Sequence, residues 1–392
     1  MSFGGGSGTS SISGSTDVVL NSPANNQVLG YNTTLAKWQN QNLSSVYVSK
    51  DSLFVNVRDH GAVGDGISDD TASVQSAIDG IPAGGCVYFP PGVYLTGTLT
   101  VYGATSLMGA GGRVSTLKLK SNVNASLIQT PDDGVQRYGL NIRQLGLDGQ
   151  ASLQTSGAVP LISIRGMNES TYSDLYILNP RGSAMAFGQA TVGMYTTVPL
   201  LDRIVIRGDV ASSQSHGIFF DSGSSDALVS QCDIGFFSAG AGICFSGHNG
   251  ATISNCNSWQ TLYGYQWFQS NRARVIGCLA DYAKHHGFVC QESSDMMFDS
   301  CQSREYGVTT TDTYDGFRFE GVAGTPANDI SLMGCRAMST RGRVGVSLQN
   351  DLAHVRVIGG SMNGQNVATS VVGSNISDYR FLAVAGIADI AV

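Results

Sequence analysis

The feature that most constrains this chain is a repeat. Gly217-Ile-Phe-Phe, Gly242-Ile-Cys-Phe, Gly264-Tyr-Gln-Trp, Gly287-Phe-Val-Cys, Gly316-Phe-Arg-Phe and Gly345-Val-Ser-Leu each open a unit. Each is followed by a second strand-like run ending in Cys232, Cys256, Cys278, Cys301 or Cys335, and Val355-Arg-Val-Ile-Gly-Gly360 closes the series. The steps along that column are 24, 22, 23, 34 and 25 residues, so one unit takes about 22 to 25 residues and one carries a longer loop. Periods of this size mark a solenoid, in which each unit buries its face only against its neighbours.

Composition agrees. Only 13% of residues are charged, while Gly reaches 50 and Pro 9. Disorder needs more charge and less apolar content, and Gly is costly inside helices. Short strands joined by Gly-rich turns fit better. The column Cys232, Cys256, Cys278, Cys301 and Cys335 reads as small apolar packing, because a free Cys behaves as a small hydrophobe. Disulfides within it are open by distance, since rungs stack at ~4.8 Å; a reduced ladder is the expectation. No Cys-x-x-Cys pair occurs, and His248 and His286, four positions from Cys244 and Cys290, do not make a zinc set. No metal or cofactor is expected.

Residues 1–16 are Gly, Ser and Thr with little else, a flexible arm. Residues 17–48 change texture: Asp17-Val-Val-Leu20, a turn at Ser22-Pro-Ala-Asn-Asn26, then Gln27-Val-Leu-Gly-Tyr31 and Lys37-Trp38. Two short strands cannot bury a core alone, so this piece needs another chain or domain to pack on. The run Asp17 to Asn40 resembles a short repeat near the N-termini of bacteriophage tail fibres and spikes; a plain trimer-pairing segment is the alternative.

Phe54-Val-Asn-Val-Arg-Asp-His-Gly-Ala-Val-Gly-Asp-Gly66 leads into Ser68-Asp-Asp-Thr71, and Val74, Ala77, Ile78 and Ile81 follow at helical spacing. Ser68 or Asp69 is the expected N-cap. After Pro82-Ala-Gly-Gly85, Val87-Tyr-Phe-Pro-Pro-Gly-Val-Tyr94 is strand-like, as are Leu107-Met-Gly-Ala-Gly111 and Thr116-Leu-Lys-Leu119. This order closely resembles the opening of the pectate-lyase-like superfamily domain, found also in phage tailspikes. The resemblance implies an all-β, right-handed, single-stranded parallel β-helix over residues 49–365, its first rung capped by the helix. Asp65, Asp69 and Asp70 then serve as turn and cap residues rather than a catalytic cluster. Residues 366–392 fall out of the rung pattern and are expected to cap the last rung.

Fold does not give activity. The resemblance's polygalacturonase branch would show Asn-Thr-Asp, Asp-Asp, His-Gly and Arg-Ile-Lys. His-Gly occurs at residues 60, 216 and 286, but Asp-Asp pairs lie far from the rung histidines, so that branch is not supported. Aligning rungs on the Cys column puts Asp281 three residues after Cys278 and Glu305 four after Cys301. Carboxylates on neighbouring rungs at roughly 5 to 9 Å span the separations used by glycosidases, so Asp281 and Glu305 are the candidate catalytic pair. Trp259, His285 and His286 are the candidate substrate-binding residues; ordinary surface acids on a solvated turn are the bland alternative. Phe219 and Phe268 point either outward, toward a partner, or into the core.

The net charge of −7 disfavours nucleic acid, and no apolar run approaches the ~20 residues that span a bilayer. The start Met1-Ser-Phe-Gly-Gly-Gly6 lacks the basic and apolar regions of a secretory leader, so release with a virus particle at lysis is the expected way out. The resulting expectation is a homotrimeric tailspike or tail-fibre protein of the virion, joined to other tail or baseplate proteins through its N-terminus. It would recognise host cell-surface polysaccharide. A lyase or hydrolase that depolymerises the glycan, and a purely structural tail part, are the alternatives.

Overall fold

A computed structural model describes residues 17–22, 24–25, 27–42, 53–81, 83–155, 159–188, 193–209, 215–363, 367–372, 376–382, 384 and 390–391. The chain divides into two units, Met1–Phe54 and Val55–Val392. The expected flexible arm, residues 1–16, lies outside the described residues.

In the first unit, Gln27–Asn32 and Lys37–Asn42 form an antiparallel hairpin, and Val18–Val19 adds in parallel to Trp38 and Gln39. The reversal falls at residues 33–36, where Asn32 Oδ1 accepts the N–H groups of Thr34 and Leu35. The stretch between Val19 and Gln27, read from the sequence as a turn, separates the short first strand from the hairpin. Leu29, Tyr31, Leu35 and Trp38 remain exposed, as expected of a segment too small to enclose a core.

The second unit is a parallel β-solenoid. One rung runs Asn271–Ile276, Leu279–Asp281, Phe288–Gln291, and the next begins at Ser294. Among the described residues the three strand positions stack into sheets of 15, 12 and 11 strands, here called sheets A, B and C in rung order. Many of the corners are turned by a residue in the left-handed region. Between A and B these are Gln231, Asn255, Gly277, Ser300, Gly334 and Gly359, and after B they are Phe236, Gln260, Tyr282 and Glu305. Short polar residues and Gly tolerate that conformation best, and the corner N–H still bonds to the next rung, as in Asn255 to Ile276 O at 2.9 Å.

The side chain after each A-to-B corner points inward, and there sit Cys232, Cys256, Cys278, Cys301 and Cys335, all buried and free. The rung-opening glycines lie where a side chain does not fit: a Cβ on Gly316 would stand 2.6 Å from Ala337 Cβ and 2.7 Å from Gly345 O. Aromatic rings fill the interior in columns. Phe187, Phe220, Phe245 and Trp267 stack at 4.7 to 5.7 Å between ring centres, and Tyr265, Phe288 and Phe317 at 4.8 Å. Such offset pairs contribute ~0.5–1.5 kcal/mol beyond area burial. Phe219 lies on the outer face between the inward Ile218 and Phe220, and Phe268 is exposed at the end of its strand, after the inward Trp267.

The helix spans Thr71–Asp79 (α1) and buries Val74, Ala77 and Ile78. Gln75 exchanges two hydrogen bonds with the backbone of Thr100, so α1 covers the terminal strand of sheet C. Its N-cap is Asp70, not Ser68 or Asp69. The buried Asp70 carboxylate turns back to accept the N–H groups of Val63 and Gly64, while Asp69 accepts Thr71 N and Lys120 Nζ. Asp65 caps Ile67 and Ser68. The three acids are thus engaged in turns.

The C-terminal stretch differs from the reading. Val367–Val372 and Ile376–Leu382 pair in parallel with the preceding rung, Tyr379 and Phe381 lying opposite Val355 and Val357. Among the described residues of this stretch, Ile390–Ala391 alone reverses, antiparallel to Arg380 and Phe381. The apolar alternation that looked like a cap adds another turn because it repeats the rung's own period of two.

Candidate functional site

The candidate residues gather where sheet B turns into sheet C. Trp259, Asp281, Arg304 and Met338 occupy one register column at the ends of successive sheet B strands. Toward the N-terminus the column continues through Gly235 and Arg207. The turn that follows carries His285 and Tyr314, Tyr263 opens the sheet C strand of the preceding rung, and Gln266, the buried Val289 and Arg318 are in register on successive sheet C strands.

Trp259 is half-buried and held at several points. Its Nε1–H donates to Asp233 Oδ1 at 2.9 Å, the Arg207 guanidinium lies 5.1 Å from its ring, and Phe236 meets it edge-on at 4.5 Å. Asp281 follows on the next rung. Its Oδ1 is enclosed and has no hydrogen-bond partner among the described residues, an arrangement that native proteins seldom leave unexplained. The residue opposite Asp281 is Arg304. Glu305 comes one position later, at the left-handed corner, and its Oε2 accepts the Thr340 hydroxyl at 3.1 Å. Its counterpart on the Asp281 rung is therefore Tyr282, whose N–H bonds Arg304 O.

The adjacent histidines have different environments. His285 is part-exposed, stacked on Tyr314 at 4.0 Å and 14°, with Tyr263 edge-on at 5.4 Å. Burial, with Lys284 beside it, lowers its pKa, so it is a neutral ring at pH 7. His286 is buried, and its Nδ1 accepts the backbone N–H of Asp315 at 2.9 Å. The same nitrogen lies 3.7 Å from Asp315 Oδ2, but a nitrogen that accepts a backbone N–H carries no proton, so this is not an ion pair. Burial drives the His286 pKa down to about 3. His286 thus stands behind the surface and shapes the turn that presents His285.

A further cluster was not singled out in the sequence. Asp315 is fully buried and gripped by Arg343 through two hydrogen bonds of 2.9 Å, with Arg318 Nη1 at 3.6 Å. Burial pushes the Asp315 carboxyl up, and Arg343 pulls it back. Arg318 also bonds Glu320 at 3.1 Å. Gln291, Glu320 and Gln349 are in register on successive rungs of sheet C, next to the row Arg318 and Ser347. Planar amides, carboxylate and guanidinium at rung spacing make a face able to hydrogen-bond a row of hydroxyls. The one available signal was positional: Asp315 precedes its rung Gly as His216 and His286 precede theirs. Among the described residues no group of three or more His, Cys, Asp and Glu is disposed to hold a metal ion, and no helix is long and apolar enough to cross a membrane.

The architecture is that of a parallel β-helix whose outer face presents a polar and aromatic corner. The chain belongs to the rhamnogalacturonase A/epimerase, pectate lyase-like family, whose profile matches residues 54–288. It is 37% identical over 116 residues to mannuronan C5-epimerase AlgE2 of Azotobacter vinelandii, a match that covers 26% of this chain and 12% of that protein. It is 30% identical over 107 residues to the tail spike protein of Shigella phage Sf6, covering 25% of this chain and 17% of the other. The matches therefore span only a small part of these relatives. Among solved structures, a hyperthermoactive exopolygalacturonase from Thermotoga maritima superposes with a TM-score of 0.65 at 11% identity, over 86% of this chain and 94% of that one. The enzymatically active domain of bacteriophage CBA120 tailspike protein 2 gives 0.56 at 13% identity, over 86% and 51%. At these identities the likeness is one of fold, and it agrees with the right-handed single-stranded β-helix expected from the resemblance.

Proposed function

We propose that this chain recognises cell-surface polysaccharide along the corner between sheets B and C, as a tailspike or tail-fibre component of a phage virion. The observation that carries the reading is Trp259 in register with Asp281: a fixed, half-exposed indole beside a half-exposed carboxylate. An aromatic face takes the apolar face of a sugar, and a neighbouring carboxylate takes its hydroxyls. His285, stacked on Tyr314, extends the aromatic surface to the following turn. The net charge of −7 speaks against a nucleic-acid partner. The tail spike protein among the relatives supports the phage setting, and the exposed Leu29, Tyr31, Leu35 and Trp38 suit an N-terminal segment that packs on other tail proteins or on further copies.

The second reading is a depolymerase, a lyase or hydrolase, with Asp281 and Glu305 as its carboxylates. The half-exposed Asp281 and Glu305 on adjacent rungs favour it, because proton transfer needs carboxylates within reach of the substrate. The test incubates purified protein with capsular polysaccharide, lipopolysaccharide and wall glycan of candidate hosts. Retention of one fraction without new ends supports recognition. New reducing ends or unsaturated uronate absorbance, lost in Asp281→Asn with Glu305→Gln, supports the depolymerase. No retention and no products overturns both.

A further inference from the structure

We infer that Gly235 and Asp233 are positioning residues that lay the Trp259 indole flat along the solenoid axis as a neutral platform for the apolar face of a pyranose ring. The inference deepens the proposed function and rests on it.

The argument begins with register. Arg207, Gly235 and Trp259 are successive members of one column. Neighbouring rungs are ~4.8 Å apart, so Arg207 and Trp259 are separated by twice that along the stack. Their side chains nevertheless meet, the guanidinium carbon lying 5.1 Å from the ring centre. They meet over Gly235. A Cβ there would stand 2.7 Å from Trp259 Cε2 and 3.0 Å from Nε1. Gly235 has no positive φ, so the position requires glycine for space and not for backbone conformation. Any larger residue would lift the indole off the sheet.

Asp233, two residues earlier on the same strand, fixes the orientation. Its Oδ1 accepts Trp259 Nε1–H at 2.9 Å and Asn257 Nδ2 at 3.3 Å, and its Oδ2 takes Arg207 Nη2 at 2.5 Å. One carboxylate thus clips the stacked pair from two rungs to the strand between them. Arg207 Nη1 is engaged as well, with Ile206 O and Asp233 O at 2.9 Å each. The guanidinium charge is therefore matched within the cluster. What the ligand meets is an indole held flat, and not an anion site.

The test uses the full chain and the polysaccharide fraction retained in the experiment above, with indole N–H resonances of the ¹⁵N-tryptophan-labelled protein as a readout that needs no glycan. Gly235→Ala and Asp233→Ala are expected to weaken retention about ten-fold, with little change when salt is raised. Asp233→Ala is expected to shift the Trp259 indole resonance, and Asp233→Asn, which keeps an acceptor for the indole N–H but gives up the carboxylate oxygen on Arg207, to hold that resonance near the parent's. If Gly235→Ala does not fold, the two Asp233 variants decide alone. Should Trp259→Ala leave retention intact, recognition lies elsewhere and the proposed corner is wrong. Should Trp259→Ala lose retention while Asp233→Ala keeps both retention and resonance, recognition at the corner stands and the positioning role is overturned. Strong weakening by salt would overturn the neutral platform.

Discussion

Arg343 holds Asp315 with two hydrogen bonds of 2.9 Å, yet the two partners are unequally placed: Asp315 is 0% exposed and the Arg343 side chain 31%. That asymmetry predicts which loss is worse. Arg343→Ala leaves a buried carboxylate with Arg318 at 3.6 Å and the Ser347 hydroxyl, and is expected to cost about 3 kcal/mol. Asp315→Ala leaves an arginine that can turn to water, and is expected to cost about half as much. In Arg343→Ala the carboxyl pKa, already raised by burial, rises further. The folded state then holds its proton above the unfolded pKa, so stability is regained as pH falls and lost as it rises. Unfolding curves of both variants at pH 7 and pH 5 check this; equal costs at neutral pH would remove the argument.

Two buried histidines predict the opposite trend in the parent protein. Burial lowers His248 to about 4 and His286 to about 3, against ~6.5 in an unfolded chain. Between those values the unfolded state binds protons that the folded state does not, so stability is full above about pH 6.5 and falls as pH drops toward 4. Each ring contributes a slope of up to about 1.4 kcal/mol per pH unit. Melting temperatures from pH 7.5 to 4.5 should decline, and His286→Asn should flatten the decline. A level profile across that window would refute the assignment.

The rung-opening glycines and the loop glycines should respond differently to alanine. At Gly316 a Cβ would press on Ala337 Cβ at 2.6 Å and Gly345 O at 2.7 Å. Neither can move without opening the stack, and a cost of about 3 kcal/mol or more follows. Gly84 has φ +85° and nothing within 4 Å of the added atom, so Gly84→Ala should cost only about 1–2 kcal/mol of backbone strain. Soluble yield and denaturation midpoints of the two variants decide it; similar losses would contradict the packing account.

These contrasts show what was legible in the sequence. The period was readable because Gly and Cys recur at the two positions per rung where space is most restricted. The Asp281 and Glu305 pairing was harder to read. Both lie within four residues of a column Cys, but one sits on the strand and the other on its left-handed corner, and counting from Cys does not separate them. Asp315 and Arg343 are 28 residues apart in a stretch containing a long loop, and only the rung register brings them together. The last turn, Val367–Val372 with Ile376–Leu382, escaped notice because it lacks the Gly and Cys markers while keeping the apolar alternation.

Sheet A carries on its outer face a row that no sequence marker announced. Ile276, Asp299, Met333, Ile358 and Leu382 are in register on successive rungs, with Ile276, Ile358 and Leu382 each at least 40% exposed. Scattered exposed apolar residues are ordinary, but an aligned row is a surface whose burial would be favourable. If the homotrimer expected of a tailspike forms with this face inward, each copy loses that row from water at ~25 cal/mol per Å². Ile358→Lys with Leu382→Lys would then place like charges in the interface without disturbing the inward residues Val357 and Phe381. The expected outcome is a trimer for the parent chain and a monomer of unchanged circular dichroism for the double variant, by light scattering after size exclusion. A parent chain that is monomeric at high concentration, or a double variant that stays trimeric, would rule out this face as the interface.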